Sequence, residues 1–473
     1  MSRDALFDLI KALSPSEKRY FRQSLSGRGD KNYLRLLNVL DKMEVFDEAT
    51  LKNAFKGERF AKQLHVTKIY LHDAILKSLR SFHAQSSSSI IIKDLLKNIE
   101  ILFNKELYQL CAKEIKKAER VATKIEDDIA LLEVLNWKRK VAQGLAPQTS
   151  DIREIIAAQK AHLEQIRRIH KAWELLLGMS TDGVPDPKEA MSLNEAVLLY
   201  HCKYHLEIQN GRNDQAKKHL DNLIKHLESN PDRIKEDPGM YFSTINNLLS
   251  FLVFTKQYNE ALSLLTRAKT HYDAARAKQN ANTFRQVLRM YNIELEIYRD
   301  IERLEKGIAL INDIQNLIRQ HSNNVPREYL ISLWFQFAYL FFLQRDFKSS
   351  LRWINDILNS SFAHLRPDLH IQTHLLNLVV HFELRNFFVM RYFVDGTKRF
   401  IKKNRALRDY HKLILAFFSK VSSTPESRYP DLFGKLHADI VLTNQIPQHD
   451  LDYINWNKWI SSKLKKARLN RSS

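Results

Sequence analysis

The amino-acid sequence predicts an all-α protein built from stacked helical hairpins, and three observations support this fold class. Glycine and proline number only 11 each among 473 residues, which leaves too few turn residues for a fold rich in β-hairpins. Apolar residues recur at steps of three and four over most of the chain, which is the spacing of one helix face. The hairpin pattern itself recurs about every 40 to 46 residues, a period typical of a helical solenoid.

The hairpin pattern is clearest in residues 241–273. Thr255, Lys256 and Gln257 form a polar break between two amphipathic segments, and a break this short predicts a helix–helix turn. In the second segment Ala261 is a small residue that lets two helix axes approach closely. An equivalent small or medium-sized residue recurs at Cys111, Ala216, Gly307, Ser350 and Met390. The steps from 216 to 261, 307, 350 and 390 are 45, 46, 43 and 40 residues.

The hairpin unit resembles the tetratricopeptide repeat. The best match has Trp334, Phe337, Ala338 and Phe341 in its first helix and Phe347, Ser350 and Ile354 in its second. The chain departs from the family pattern, because no unit keeps the glycine of the first helix and every step exceeds 34 residues. The resemblance covers residues 90–405 and implies a right-handed α-solenoid whose first helices line a concave surface.

The predicted organisation has four parts. Residues 1–83 form an N-terminal helical module, residues 84–90 a Ser-rich hinge, residues 91–420 the helical-repeat solenoid, and residues 421–473 a C-terminal capping helix with a basic tail. In the solenoid we expect helices near 91–125 (one hairpin), 127–143, 151–179, 188–209, 213–229, 282–303, 304–321, 327–344, 347–360, 368–384 and 387–403. A last helix over about 450–467 would cap the open end of the solenoid.

The N-terminal module carries clear helix-start signals. Ser14, Pro15 and Glu17 form a capping box with proline at the first helical position, and Asp30 and Asp47 each precede a further helix. We interpret residues 59–83 as one long amphipathic helix. The alternative is a helix-turn-helix, in which Thr67 and its neighbours would enter a DNA groove. In that alignment His65 replaces the glycine of the turn.

Several functional classes find no support in the sequence. It has no phosphate-binding glycine loop and no G-x-S-x-G, H-E-x-x-H or C-x-x-C motif, so we expect a protein that is not an enzyme and needs no cofactor. The two histidine clusters, 201/205 beside Cys202 and 370/374/381, lack further ligands at a recognised zinc spacing. With two cysteines, no leader-like start and no long apolar run, we expect a cytoplasmic protein without membrane segments.

The positive charge is concentrated toward the ends of the chain. The formal net charge is +20, and residues 331–473 hold 22 Lys/Arg against 11 Asp/Glu. A candidate patch for phosphates or an acidic partner comprises Lys398, Arg399, Lys402, Lys403 and Arg405. An ordinary solvated face is the alternative interpretation of such a charge run.

The candidate partner-binding residues follow from the tetratricopeptide resemblance. Carried over one by one, the concave positions are His201, His205, Ser243, Asn246, Ser250, Arg289, Asn292, Glu296, Ser332, Phe335 and Tyr339. The apolar faces are complete without Asn246 and Asn292, so we expect these amides to bind a ligand. The sequence therefore predicts a protein- or peptide-binding scaffold or adaptor. The alternative is a nucleic-acid-associated regulator that uses the N-terminal module or the basic C-terminal face.

Overall fold

The computed structural model describes residues 5–25, 31–44, 46–58, 63–85, 87–145, 149–180, 182–275, 281–320, 325–360, 364–441, 446 and 453–472. This part of the chain is all-helical, with 23 α-helices and no β-strand. Most helices pack against the helices before and after them in sequence. The chain divides into two compact units, residues 1–286 and 287–473.

The first unit contains the helices up to α14, together with the beginning of α15. They are α1 (Ala5–Ala12), α2 (Pro15–Leu25), α3 (Lys31–Lys42), α4 (Glu48–Ala54), α5 (Leu64–Phe82), α6 (Ser88–Asn104), α7 (Tyr108–Ile125), α8 (Asp128–Gly144), α9 (Thr149–Leu176), α10 (Leu193–Gln209), α11 (Asn213–Glu228), α12 (Pro231–Glu236), α13 (Pro238–Phe254), α14 (Tyr258–Ala275) and α15 (Ala281–Asp300).

The second unit contains the end of α15 and eight further helices. They are α16 (Leu304–Gln320), α17 (Arg327–Leu343), α18 (Phe347–Leu358), α19 (Pro367–Glu383), α20 (Phe387–Lys403), α21 (Asp409–Val421), α22 (Tyr429–Leu436) and α23 (Trp456–Ser472). A π-helical turn, His437–Val441, follows α22. The last helix thus begins at Trp456 rather than near residue 450, which lies outside the described residues.

The N-terminal helices α1 to α5 share one apolar core, in which Ile10, Leu37, Leu71 and Ile75 are fully buried. The capping box at α2 is confirmed: the Ser14 N–H donates to Glu17 Oε2 (2.7 Å), and the Glu17 N–H donates to Ser14 Oγ (3.2 Å). Asp47 caps α4 through the N–H groups of residues 49 and 50. Asp30 lies outside the described residues.

The helix-turn-helix alignment is wrong, because the turn that it requires at His65 is absent. His65 and Thr67 lie in the first turn of α5, which is one uninterrupted helix from Leu64 to Phe82. The predicted long helix is therefore present from residue 64, and residues 59–62 lie outside the described part. The predicted hinge is helical from Ser88 onward: Ser87 caps α6, and the Ser88 hydroxyl donates to Glu236 Oε2 (2.8 Å).

Six hairpins share one turn geometry. The middle residue of each three-residue connection adopts a positive φ, between 57° and 70°: Glu106, Gly211, Lys256, Glu302, Arg345 and Arg385. In each turn, the N–H of the next residue donates to the carbonyl of the residue five positions before it, on the first helix, at 2.7–3.0 Å. This is the hydrogen bond of the Schellman helix ending. Five of these six positions carry a side chain, although the left-handed conformation favours glycine.

The fifth residue after each left-handed position lies where the two helices of the hairpin meet. These residues are the aligned set of the sequence analysis, Cys111, Ala216, Ala261, Gly307, Ser350 and Met390, and all are buried. The Cys111 thiol donates to the Ile99 carbonyl (3.3 Å), and the Ser350 hydroxyl donates to the Ala338 carbonyl (2.8 Å). Both acceptors lie twelve residues earlier, on the first helix. The repeat in the sequence thus corresponds to a turn and a buried contact position that recur in six hairpins of the structure.

Candidate partner-binding surfaces

The first candidate surface is formed by α10 and α13 in the first unit. The rings of Tyr204 and Phe251 are 6.4 Å apart and bring these two first helices of adjacent hairpins together. Of the predicted residues, His205 and Ser250 are exposed, and His201 and Ser243 are half-buried. Because all four lie one or two turns apart on their helices, they form a row of polar side chains along each helix.

An aromatic side chain that sequence analysis missed completes this surface. Phe254 is 78% exposed and lies one helical turn beyond Ser250, on the face that also carries Ser243 and the half-buried Asn247. Aromatic side chains are common among the residues that contribute most to protein-binding interfaces. The spacing of Phe254 from Ser250 predicts that both lie on one helix face. It does not show that Phe254 is exposed, because an apolar residue near a helix end can equally well be buried.

His201 contributes a neutral imidazole to this surface. Burial, and secondarily the neighbouring His205, lowers the pKa of His201 from 6.5 to about 4. At neutral pH the ring is therefore uncharged and can donate from one nitrogen and accept at the other. The row on α10 and α13 suits a neutral, hydrogen-bonding ligand such as a peptide backbone.

Asn246 does not belong to the open surface, and the prediction that its amide is available to a ligand is wrong. Its side chain is 0% exposed, and Nδ2 donates to the Gln286 carbonyl (2.8 Å) and to Gln286 Oε1 (3.1 Å). The amide therefore joins α13 to the start of α15. Helix packing, rather than a ligand, accounts for an asparagine at this position.

The predicted positions on α15 are half-buried. Glu296 pairs with Arg299 (3.4 Å), and Arg299, whose side chain is 9% exposed, also pairs with Asp300 (2.9 Å). Burial opposes the charge on Arg299, but these two carboxylates hold its pKa above the ordinary value. Arg289 and Asn292 complete the set on this helix. In the described structure no hydrogen-bond partner reaches Asn292 Oδ1.

The predicted positions on α17 are covered by the chain itself. The Asn455 N–H donates to the Tyr339 hydroxyl (2.9 Å), and the Tyr453 ring meets Phe335 edge-on at 5.8 Å. Tyr453 also donates to Asp368 Oδ2 (3.2 Å). Phe335 and Tyr339 are only 2% and 4% exposed, so the prediction that they face an open groove is wrong.

Ser332, the third predicted position on α17, is half-buried and already engaged. Its hydroxyl donates to the Glu328 carbonyl (3.0 Å) and accepts from Arg366 Nη1 (2.9 Å). Arg366 in turn pairs with Asp368 (2.7 Å), the acceptor of the Tyr453 hydroxyl. The polar groups at this end of α17 therefore help to hold the C-terminal segment.

The C-terminal helix anchors that segment. The Trp459 indole N–H donates to Glu383 Oε1 (2.7 Å), and Lys463 pairs with the same carboxylate (2.5 Å). The ring of Trp459 lies 5.4 to 6.3 Å from four phenylalanine rings, at positions 382, 417, 418 and 433. Trp456 is fully buried. The last helix thus packs into the second unit through its aromatic core.

The second candidate surface is the basic face of α20. Lys398, Arg399, Lys402 and Lys403, together with Arg405 just beyond the helix, are all exposed. Sequence analysis missed two aromatic side chains on this helix, Phe388 and Tyr392, which are 99% and 70% exposed. Their step of four residues places both on one helix face, but it does not by itself show whether that face is buried or exposed.

The histidine cluster on α19 is packed rather than arranged for metal binding. His374 lies 4.7 Å from the Phe400 ring, and its pKa is lowered from 6.5 to about 4 by burial and by His370. His381 stacks on Phe393 at 4.4 Å. Within the described ranges, no group of three or more His, Cys, Asp or Glu side chains is arranged to hold a metal ion.

One open cavity of about 410 Å³ lies in the first unit beside the start of α6. Residues 87–89 and 125–129 contribute to its wall, together with Arg233, Glu236 and Asp237. Glu126 stands there with a positive φ, and its carboxylate accepts the N–H groups of Leu193 and Asn194, both at 3.2 Å. These contacts cap α10, and the polar groups of the cavity therefore have a structural role.

No helix among the described residues is both long enough and apolar enough to cross a membrane. No protein-family model matches the sequence, and no curated protein or solved structure is significantly similar to it.

Proposed function

We propose that this protein is a helical-repeat adaptor that binds an extended peptide of a protein partner along α10 and α13. We take the hairpins to stack with the right-handed turn that the tetratricopeptide resemblance implies. The partner would contact His201, His205, Ser243 and Ser250, and Phe254 would provide the aromatic anchor. No catalytic step is part of this proposal.

The observation that carries the proposal is the way in which α17 holds residues 453–455. There, the equivalent positions of a first helix bind a non-helical segment through one backbone hydrogen bond and one ring-to-ring contact. Hydrogen bonds to the backbone give affinity to any extended peptide, and aromatic contacts select its side chains. The row on α10 and α13 offers the same two kinds of contact, and His205, Ser250 and Phe254 in it are exposed.

The proposed working compartment is the cytoplasm. Cys111 and Cys202 are both free and buried, and burial raises the pKa of each thiol. Unpaired thiols of this kind are typical of proteins from reducing compartments. A partner peptide in the same compartment would meet the α10 and α13 row directly.

Site-specific photo-crosslinking tests this proposal. A photoreactive amino acid is placed at Ser250 or Phe254, and the matched control position is the exposed Lys116 on α7. After nuclease treatment of the lysate, we expect a defined protein to crosslink from Ser250 and Phe254 but not from Lys116. The same adducts from all three positions would contradict the proposal.

Calorimetry then measures the contribution of the row. A synthetic peptide from the crosslinked region is titrated into wild type and into a triple variant, His205→Ala, Ser250→Ala and Phe254→Ala. Loss of one or two hydrogen bonds and an aromatic contact costs about 2–4 kcal/mol, which lowers affinity roughly 30-fold to 1,000-fold. Unchanged affinity in the folded triple variant would move the binding site elsewhere.

A further inference from the structure

The exposed face of α20 combines aromatic rings with unneutralised cations. At 3.6 residues per turn, Phe388, Arg391, Tyr392, Arg399 and Lys402 all lie within about 60° of the direction of Phe388. All five side chains are exposed. The two rings are one turn apart, about 6 Å along the axis, and the cations lie beside and beyond them. We call this set the α20 stripe.

The cations of the α20 stripe are available to a ligand. Within the described residues, no carboxylate lies at salt-bridge distance from Arg391, Arg399 or Lys402, whereas Arg385 pairs with Glu426 (3.1 Å) at the start of the helix. Arg399 Nε donates only to the Asp395 carbonyl (3.4 Å). Asp395 is the one acidic side chain within the stripe's arc on α20.

The composition of the stripe distinguishes between classes of partner. Protein-binding hot spots are surrounded by contacts that exclude water, but the neighbours of Phe388 and Tyr392 on this face are charged and exposed to solvent. Aromatic faces beside arginine and lysine are the combination that stacks bases and neutralises phosphates in single-stranded nucleic acid. In a duplex the base faces are already stacked on each other and cannot reach such rings.

We propose that the α20 stripe binds single-stranded nucleic acid: two neighbouring bases stack on Phe388 and Tyr392, and Arg391, Arg399 and Lys402 contact the phosphates. This site is separate from the peptide row on α10 and α13. Stacking on a ring is tolerant of sequence, so the binding has little base preference. The excess of 22 basic over 11 acidic residues in 331–473 favours the same ligand.

Fluorescence anisotropy with the full chain tests the assignment. The probes are fluorescein-labelled oligouridine and oligothymidine of about 20 nucleotides and a duplex of the same length, at about 50 mM and about 200 mM salt. Both single strands should bind, and the duplex at least about tenfold more weakly. Equal affinity for RNA and DNA would assign the contacts to bases and phosphates; a clear RNA preference would add contacts to the 2′-hydroxyl.

Ring variants isolate the stacking contribution. Phe388→Ala and Tyr392→Ala should each weaken binding about fivefold or more, and the double variant about 25-fold or more. Phe388→Trp with Tyr392→Trp should restore it, because tryptophan also offers a flat ring. Both positions are exposed, so the alanine variants should keep the wild-type melting temperature, which circular dichroism checks.

Charge variants isolate the phosphate contacts. A triple variant with Arg391→Gln, Arg399→Gln and Lys402→Gln should bind with a weaker dependence on salt. The slope of the logarithm of the binding constant against the logarithm of the salt concentration should change from about −2 toward zero. The matched control is Lys113→Gln, Lys116→Gln and Arg120→Gln on α7, the corresponding second helix of another hairpin, where three exposed cations lie without exposed rings among them. The control should stay within about twofold of wild type. Asp395→Asn should tighten binding.

Four outcomes would overturn the proposal. They are absence of oligonucleotide binding at about 50 mM salt, wild-type affinity in the ring double variant, equal affinity for the duplex, and equal loss of affinity in the α7 control. A polyglutamate chain that binds as tightly as the oligonucleotides, with the same dependence on the rings, would assign the stripe to an acidic protein instead.

Discussion

The shared hairpin turn leads to a paired prediction about stability. Lys256 in the α13–α14 turn has a φ of +59°, and Gly211 in the α10–α11 turn has a φ of +70°. Lys256 is exposed and, within the described structure, makes no ion pair. A Cβ added to Gly211 would meet no atom within 4 Å. The two substitutions Lys256→Gly and Gly211→Ala therefore change only how readily the backbone at each turn adopts the left-handed conformation.

The magnitude follows from two opposing contributions. The left-handed conformation destabilises the folded state by about 1–2 kcal/mol where an L-residue adopts it. Glycine avoids this cost, but it lowers the free energy of unfolding by about 0.5–1 kcal/mol because it increases the entropy of the unfolded chain. Lys256→Gly should therefore raise the free energy of unfolding by about 0.5–1 kcal/mol, and Gly211→Ala should lower it by a similar amount. The double variant should lie close to wild type, because both turns belong to the first unit.

Equilibrium urea unfolding, followed by circular dichroism, measures these differences. Hydrogen exchange of the amides around each turn adds a local measure that does not depend on two-state unfolding. Lys256→Ala is the control, since alanine removes the lysine side chain but keeps the conformational cost. If Lys256→Gly is no more stable than Lys256→Ala, the turn does not hold the left-handed geometry and the reasoning is refuted.

Three further predictions concern polar groups that are buried or half-buried. Asn246→Ala should destabilise the first unit by about 1–3 kcal/mol, because both amide hydrogen bonds to Gln286 are lost; urea unfolding measures this. Ser350→Cys, which copies Cys111, should cost less than about 1 kcal/mol, whereas Ser350→Leu should cost about 1–3 kcal/mol by overpacking the hairpin. His201 and His374 should make the fold acid-sensitive. Their folded pKa values near 4 lie below the unfolded 6.5, so the unfolded chain binds more protons between these values. Stability is then full above about pH 6.5 and falls toward pH 4, by up to about 3 kcal/mol per histidine.

Each of these predictions has a control. Ser250→Ala, on the same helix as Asn246 but exposed, should change stability by less than about 0.5 kcal/mol; an equal effect of the two substitutions would contradict the packing role of Asn246. Equal stability of the Cys and Leu variants at position 350 would mean that the hairpin is loosely packed. An unchanged pH dependence in a His201→Gln, His374→Gln variant would show that other groups cause the acid sensitivity.

The site was less predictable than the fold. The α10 and α13 positions came from residue-by-residue transfer of a repeat pattern, and four of the five proved to be at least partly accessible. The same transfer misplaced Asn246, Phe335 and Tyr339, because a repeat pattern states which side of a helix a residue occupies and not what covers that side. Phe388 and Tyr392 were missed for the related reason that an aromatic residue is usually buried.

By itself, the sequence determined much of the local structure: the all-α class, several helix starts and the register of the hairpins. These depend on interactions within a few residues, such as the Ser14–Glu17 capping box and the apolar period, so a single stretch contains the information. Only the tertiary structure decided which faces are open. Asn246 meets Gln286 across 40 residues and Tyr339 meets Asn455 across 116, and no local pattern records a contact between segments so far apart. Burial is a property of the assembled helices, because each face is covered or left open by a neighbour that the local sequence does not contain.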